Sequence, residues 1–248
     1  MMLKVWYRDF FVWSHYWWAS LVGNLGEPLL YLFALGYGVG KYITDIGGVS
    51  YSEFIAPALV VASVMNSATF ETTYSSYTRM TGQKTFDAIA STPVSFQQII
   101  LGEILWATTK ACLSAVTILI VFALAGVIKH PLAIAVLPLC FIEGVVFASL
   151  GMLATSKATN YDFFTYYFIL FISPMFLFSG TFFPLQGTGP WLQYITWLLP
   201  LTHAVEGARE LFQGRIGWPF WSSLLWLSVA AVLLCSWAVR RMVKRLYV

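Results

Sequence analysis

A chain of 248 residues that is 59% hydrophobic and only 10% charged, with a mean hydropathy of +0.74, lacks the polar surface that a water-soluble domain needs. Several apolar runs of about 20 residues, the length that matches a hydrocarbon core about 30 Å thick, are joined by short loops. The sequence therefore reads as an all-α integral membrane protein, residues 1–248 forming a single transmembrane domain. The net charge of +3 reflects the distribution of cations between the two sides of the membrane and does not point to an acidic ligand. Cys112, Cys140 and Cys235 stand singly in apolar runs, without the spacing of a metal site or disulfide framework. The start carries Lys4, Asp9 and many aromatics instead of a basic region and a cleavage site, so no cleaved signal peptide is expected and the mature chain is expected to begin at Met1.

Residues 2–18 read as an amphipathic interfacial helix. Trp6, Phe10, Trp13 and Trp17 recur at steps of four and three, while Lys4, Arg8 and His15 fall on another face. The aromatic stripe is expected to sink into the headgroup boundary and the basic face to meet anionic lipid. The first span runs from Leu21 to Lys41 and holds Glu27 beside Pro28, which kinks it and leaves polar groups in need of protein partners. Its "GYGVGK" is no phosphate loop: that motif needs glycine where Leu35 stands and Ser or Thr where Tyr42 stands. Gly36 and Gly40 suit close helix packing instead.

A polar loop, Asp45 to Glu53, leads to the second span, Phe54 to Tyr77, and to "RMTGQKTFDAIASTP", the longest polar stretch between two spans. Residues 84–91 fit two helical turns with Phe86 and Ile89 on one side and Lys84 and Asp87 toward solvent. Pro93 stops this helix, and Ser95 with Gln98 forms a capping box that opens the third span, which runs to Val127. The fourth span is Leu132 to Thr155 and the fifth is Phe163 to Phe183. Between the fifth and the last span, Pro190–Leu199 and Thr202–Gln213 form two helical pieces broken at Pro200, each reaching only about 15–18 Å. Counted as a re-entrant hairpin (residues 188–213) on the outer side, they leave six spans, the last being Trp218 to Val239. Both termini are then cytoplasmic, with nine Lys and Arg inside against four outside, as the positive-inside rule favours.

Glu71, Glu103, Lys110 and Glu143 fall within spans, where an unpaired charge is costly. Lys110 lies about 21 Å from the cytoplasmic side and Glu143 about 16 Å from the outer side, levels that a lysine stem bridges, so the expected pair is Lys110 with Glu143. Glu71 and Glu103 sit near the cytoplasmic end, where they line an inner gate or reach the interface, the structural role being favoured for both. On the hairpin, His203, Glu206 and Glu210 share one helical face, with Pro200 and Arg209 beside them. The set reads as an outer gate rather than a metal site, because charged residues at this boundary ordinarily mark where a helix meets water. The aromatic crowding of the fifth span, Phe163 to Phe183, is explained by lipid-facing and interhelical packing.

The plan of six spans, an interfacial first helix, a cytoplasmic helix between the second and third spans and an outer hairpin before the last resembles ABC type-2 permeases. "GNLGEPLLYLFALGYGVG", "ATFETTYSSYTRM", "NYDFFTYYFILFISPMFLFSGTFFP" and the Pro-Leu-x-His pattern in "LPLTHAVEGAREL" are similar to the matching segments of the nodulation protein J family, membrane subunits of an exporter associated with lipo-chitooligosaccharide signals. The resemblance implies a homodimer in the bacterial inner membrane, working with two copies of a separate ATPase that carries ATP and Mg; this chain itself holds no cofactor and is not an enzyme. It implies that Lys84 to Ser91 is the coupling helix, with Phe86 and Ile89 as anchors in a groove of the ATPase and Lys84 and Asp87 setting orientation. The cargo is an amphipathic, lipid-linked or glycan-containing molecule moved outward. Relatives of these permeases export drugs, polysaccharides or other lipids, which is the first alternative. An ion-coupled secondary transporter is the second, with the intramembrane Glu and Lys as ion sites, but no inverted repeat supports it. A lipid-modifying membrane enzyme is the third, and no nucleophile, base or metal motif supports that.

Overall fold

The computed structural model describes residues 1–43, 46, 48–185 and 189–247. Asp45 of the expected polar loop and Thr188, the first residue of the expected hairpin, lie outside them. The helices are α1 (Met2–Ser14), α2 (Trp17–Tyr31, wound on through Leu32–Gly38 and Val39–Lys41) and α3 (Tyr51–Phe70, continued by wide π turns at Glu71–Ser75 and Thr78–Gly82). After them come α4 (Thr85–Ala90), α5 (Phe96–Leu124), α6 (Val136–Thr155), α7 (Asp162–Tyr167), α8 (Ser173–Phe178), α9 (Pro190–Trp197), α10 (Pro200–Phe212) and α11 (Trp218–Leu246). Among the described residues, four helical stretches are long and apolar enough to cross a membrane: Tyr51–Gly82, Phe96–Leu124, Pro131–Thr155 and Trp218–Leu246. The stretch Asp162–Phe178 is apolar but shorter.

Most boundaries follow from local chemistry. The Ser50 side chain accepts the Glu53 N–H to start α3, and Ser95 and Gln98 close a reciprocal capping box at α5. Pro190, Pro200 and Pro219 occupy first-turn positions, where the missing N–H costs nothing. The hairpin thus breaks just before Pro200, which opens the second helix rather than interrupting one. Helix α11 outlasts the expected span and carries the basic tail to Leu246.

The core is built around α3, whose side chains from Phe54 to Met65 are almost all buried. Helices α5 and α6 flank α3, α10 is wedged against α3, α6 and α11, and α11 closes the bundle while exposing Leu225, Val229 and Leu233. Small residues set the spacing. A Cβ at Gly144 of α6 would meet Thr108 of α5 at 3.1 Å, and one at Gly207 of α10 would meet Leu139 at 3.0 Å.

The first helix departs from expectation. It ends at Ser14, not residue 18, because the Ser14 hydroxyl and the His15 ring both turn to the Phe11 carbonyl and compete with the helical ladder. Its aromatic stripe faces protein, not lipid. Trp6 Nε1 donates to Thr109 Oγ1 at 3.0 Å, and Phe10 and Trp13 pack edge-on against Trp106 at 6.3 and 5.9 Å. Arg8 is drawn to a buried carboxylate on α5 instead of to anionic lipid. The face left open carries Leu3, Tyr7 and Phe11. Contact at the seam is tight: a Cβ on Gly102 would lie 2.7 Å from Val5 Cβ.

Gly102→Leu is therefore expected to destabilise the chain by about 1–3 kcal/mol through overpacking and to free α1 for proteolysis. At Gly26 a Cβ meets nothing within 4 Å, so Gly26→Leu is expected to leave both unchanged. Melting temperature and α1 cleavage, measured in the same lipid, check the contrast.

Candidate functional site

The C-terminal part of α3 is rich in Ser and Thr, whose hydroxyls bond back to carbonyls one turn earlier: Thr72 to Ala68, Thr73 to Thr69, Thr78 to Tyr74 and Thr81 to Tyr77. Such competition loosens the regular ladder, and the helix here winds in its two wide turns, a form often found at functional positions. The turns carry Glu71 and Arg79. Arg79 Nη1 reaches Glu71 Oε1 at 2.8 Å and Nη2 reaches Glu103 Oε2 at 2.6 Å, while Nε stands 4.0 Å from Asp9. Arg8 bonds Asp9 and approaches Glu103 at 3.3 Å; Ser76 Oγ donates to Glu103 at 2.5 Å and Trp106 Nε1 to Glu71 at 3.2 Å. Lys110 completes the set on Glu71 Oε2 at 2.7 Å.

Three cations thus meet three carboxylates, and the cluster joins α1, α3 and α5. All three acids are at most 5% exposed. Asp9, on α1 outside the spans, is raised from 3.8 to about 7 by burial and by neighbouring Glu103, against the pull of Arg79 and Arg8.

The expected pair of Lys110 with Glu143 is not formed, and Lys110 belongs to Glu71. Two facts explain the difference. The second span does not end at Tyr77 but continues to Gly82, which lifts Glu71 about 16 Å above the helix end, near the level of Lys110. Depth also says nothing of which face a side chain leaves from, and Lys110 turns to α3 rather than α6. Glu143 is fully buried, and neither of its oxygens has a hydrogen-bond partner among the described residues. Glu71 and Glu103 are interior groups in ion pairs and do not reach the interface. Arg79, which holds them, is in the sequence only one of the nine cations counted on the inner side; the hydroxyl-rich "ETTYSSYTRM" around it is the available signal.

Beside the cluster a cleft of about 330 Å3 opens between α2, α3 and the stretch Phe168–Phe176. Its lining mixes polar residues, Asn24, Glu27, Ser63, Asn66 and Lys110, with aromatic ones, Tyr31, Phe70, Phe168 and Phe176. Asn24 is fixed by a 2.7 Å bond to Ser114 of α5. Such a lining suits a molecule that is polar at one part and apolar at another.

At the end of α3, Lys84 adopts φ 54°, the left-handed conformation that L-residues rarely take, and this turn folds α4 back under the bundle. Phe86 is consequently fully buried within the chain and Ile89 is half-buried, so Phe86 is not an anchor offered to a partner. It pins α4 to its own bundle. The exposed residues are Lys84, Asp87 and Ala88.

The hairpin residues do not converge. His203 is buried, its Nε2 2.8 Å from the Trp197 carbonyl and its ring stacked on Trp226 at 4.4 Å. Glu206 is exposed, and Glu210 accepts the Gly217 N–H at 3.3 Å. Arg209 donates to the Gly180 carbonyl at 2.5 Å with its guanidinium 3.8 Å over the Phe54 ring, tying the hairpin to α3 and to the turn after α8. Pro200 is buried at the start of α10.

Residues 3–212 match the family model described as ABC-2 type transporter. The chain belongs to that family. Curated relatives of this ABC-2 chain include nodulation protein J of Neorhizobium galegae, 41% identical over 86% of this chain and 81% of the relative, and nodulation protein J of Rhizobium meliloti, 37% identical over 96% and 88%. More distant is the inner membrane transport permease YadH of Escherichia coli, 24% identical over 85% and 82%. This ABC-2 chain is accordingly a multi-pass membrane transport permease.

Removing the central guanidinium of the ABC-2 chain leaves Glu71 and Glu103 short of charge. Arg79→Ala is expected to lower stability by about 3–5 kcal/mol, with Arg79→Lys between it and the parent, as read from thermal unfolding in nanodiscs. For Asp9 the folded state holds its proton more tightly than the unfolded chain, so its contribution is complete below about pH 4 and disappears as the pH rises through about 7. Asp9→Asn is expected to melt near the temperature of the parent at about pH 4 and above it at pH 8; equal losses for both chains between these pH values would refute the assignment.

Proposed function

We propose that the chain is the membrane-spanning subunit of an ATP-driven exporter that moves an amphipathic, lipid-linked or glycan-containing molecule outward. The cleft carries the reading: polar and aromatic side chains line one cavity in a chain of the ABC-2 family, and such a mixed lining fits a cargo with hydrogen-bonding and apolar parts. Kinship to proteins named nodulation protein J and inner membrane transport permease supports an export permease of the inner membrane.

The proposed assembly is a homodimer of this chain with two copies of a separate ATPase that binds ATP and Mg, leaving this chain without a cofactor or catalytic role. Six spans are proposed, the four long helices together with Trp17–Lys41 and the stretch beginning at Asp162. Helices α9 and α10 would form the outer re-entrant hairpin and gate, and both termini would lie in the cytoplasm, where nine of the cations then gather. Helix α4 would be the coupling helix. Lys84, Asp87 and Ala88 offer it a contact face, while Phe86 transmits force inward from that face instead of docking outward.

Two variants reconstituted with the partner ATPase in vesicles separate the cleft from the coupling helix. Gly23 lines the cleft with open space where its Cβ would be, so Gly23→Phe is expected to cut export at least about tenfold while ATP turnover continues, a block of about 1.4 kcal/mol or more. Lys84→Glu combined with Asp87→Lys is expected to reduce both export and the ATPase response. Export undiminished by the filled cleft would remove the cargo reading, and an ATPase indifferent to the chain would remove the exporter reading.

A further inference from the structure

We infer that Thr155 is a positioning residue for energy coupling, acting through the wide turn Glu71–Ser75 on the stem of α4. The inference rests on the proposed role of α4.

A wide turn spreads the helix ladder and leaves carbonyls badly aimed at their usual donors. In this turn the Thr72 carbonyl is served from another helix: Thr155 Oγ1 of α6 donates to it at 2.6 Å, wholly buried. The approach depends on Gly151 one turn earlier in α6, where any Cβ would collide with the Thr72 hydroxyl and lie 3.2 Å from the Thr69 carbonyl. Thr155 is itself oriented by a third helix. The Arg245 guanidinium of α11 bonds the Thr155 carbonyl and, at 2.6 Å, the Ala158 carbonyl, and it stands 5.8 Å over the ring of Tyr77. Tyr77, between the two wide turns, returns a bond of 2.8 Å to the Thr159 carbonyl.

The end of α3 is therefore gripped on two sides, by charge on the side of α1 and α5 and by the Thr155 hydroxyl on the side of α6. Only the second grip acts on the backbone of the turn. Rewinding that turn into a regular helix would shift everything beyond it by about 1.5 Å and rotate it by about 100°. Arg79 would leave the line between Glu71 and Glu103, and the left-handed turn at Lys84 would carry α4 elsewhere. By holding the Thr72 carbonyl, Thr155 keeps the wide turn in place, so that a push on α4 moves α3 as a rod instead of being absorbed by a change of winding.

Thr155→Val removes the hydroxyl and keeps the shape, and Thr155→Ser restores the donor. With the partner ATPase in vesicles, Thr155→Val is expected to hydrolyse ATP at the parental rate but export about fivefold less cargo per ATP, the population change that loss of one buried hydrogen bond produces, and Thr155→Ser is expected to recover it. In the chain alone, amides 71–82 of Thr155→Val are expected to exchange with deuterium faster than in the parent. Unchanged exchange, or unchanged cargo per ATP, or a serine variant that fails to rescue, overturns the inference. A parent chain that elicits no ATPase response sinks the exporter reading instead, and the exchange experiment still decides whether Thr155 holds the turn.

Discussion

Arg79 carries a charge it cannot shed, and the chain surrounds it with Glu71, Glu103 and Asp9 in the interior of a largely apolar bundle. Taking those ions out of water costs more than any single contact returns, so the cluster holds only because every member is matched and the guanidinium fork serves two carboxylates at once. That requirement fixes the register of three helices. Sliding α1 or α5 along α3 by a residue would strand a charge, whereas the Leu, Ile and Val side chains around them tolerate such shifts far better. The cluster is better understood as a device for specifying one arrangement than as a source of stability.

From this node the architecture reads outward. The α1 helix is held against α5 by Arg8 at Glu103 and by Trp6 and Trp13 at Thr109 and Trp106. Lys110 reaches Glu71 and also lines the cleft, so the charge cluster and the cavity share a wall. Beyond the wide turns, Lys84 redirects the chain into α4, and at the far end of α3 Arg209 clasps Phe54 and the turn after α8. One helix thus links the face proposed to meet an ATPase with α10, with the cleft alongside.

Much of this was legible in the sequence where local chemistry decides. The capping box at Ser95, the prolines at 190, 200 and 219 and the long apolar runs place the elements to within a few residues, and the segments shared with the ABC-2 family point to the class. What escaped depends on partners distant in sequence. The Trp6–Trp13 stripe looks the same whether it faces lipid or a second helix. Phe86 looks like a docking anchor until the positive φ of Lys84 turns it inward. The partner of Lys110 is chosen by the direction in which its side chain leaves α5, and by an α3 helix several residues longer than its apolar run. The wide turns have no periodicity signature; only the density of Thr and Ser hinted that the ladder would loosen.

The docking of α1 also bears on how the chain is made. Its Trp6, Phe10, Trp13 and Arg8 find their partners at Thr109, Trp106 and Glu103, nearly a hundred residues further along. While a ribosome is still delivering α2 and α3, those partners do not exist, and the helix has only the membrane surface to rest on. Helix α1 is thus made well before the residues it docks on, and it finds its place only once α5 has followed.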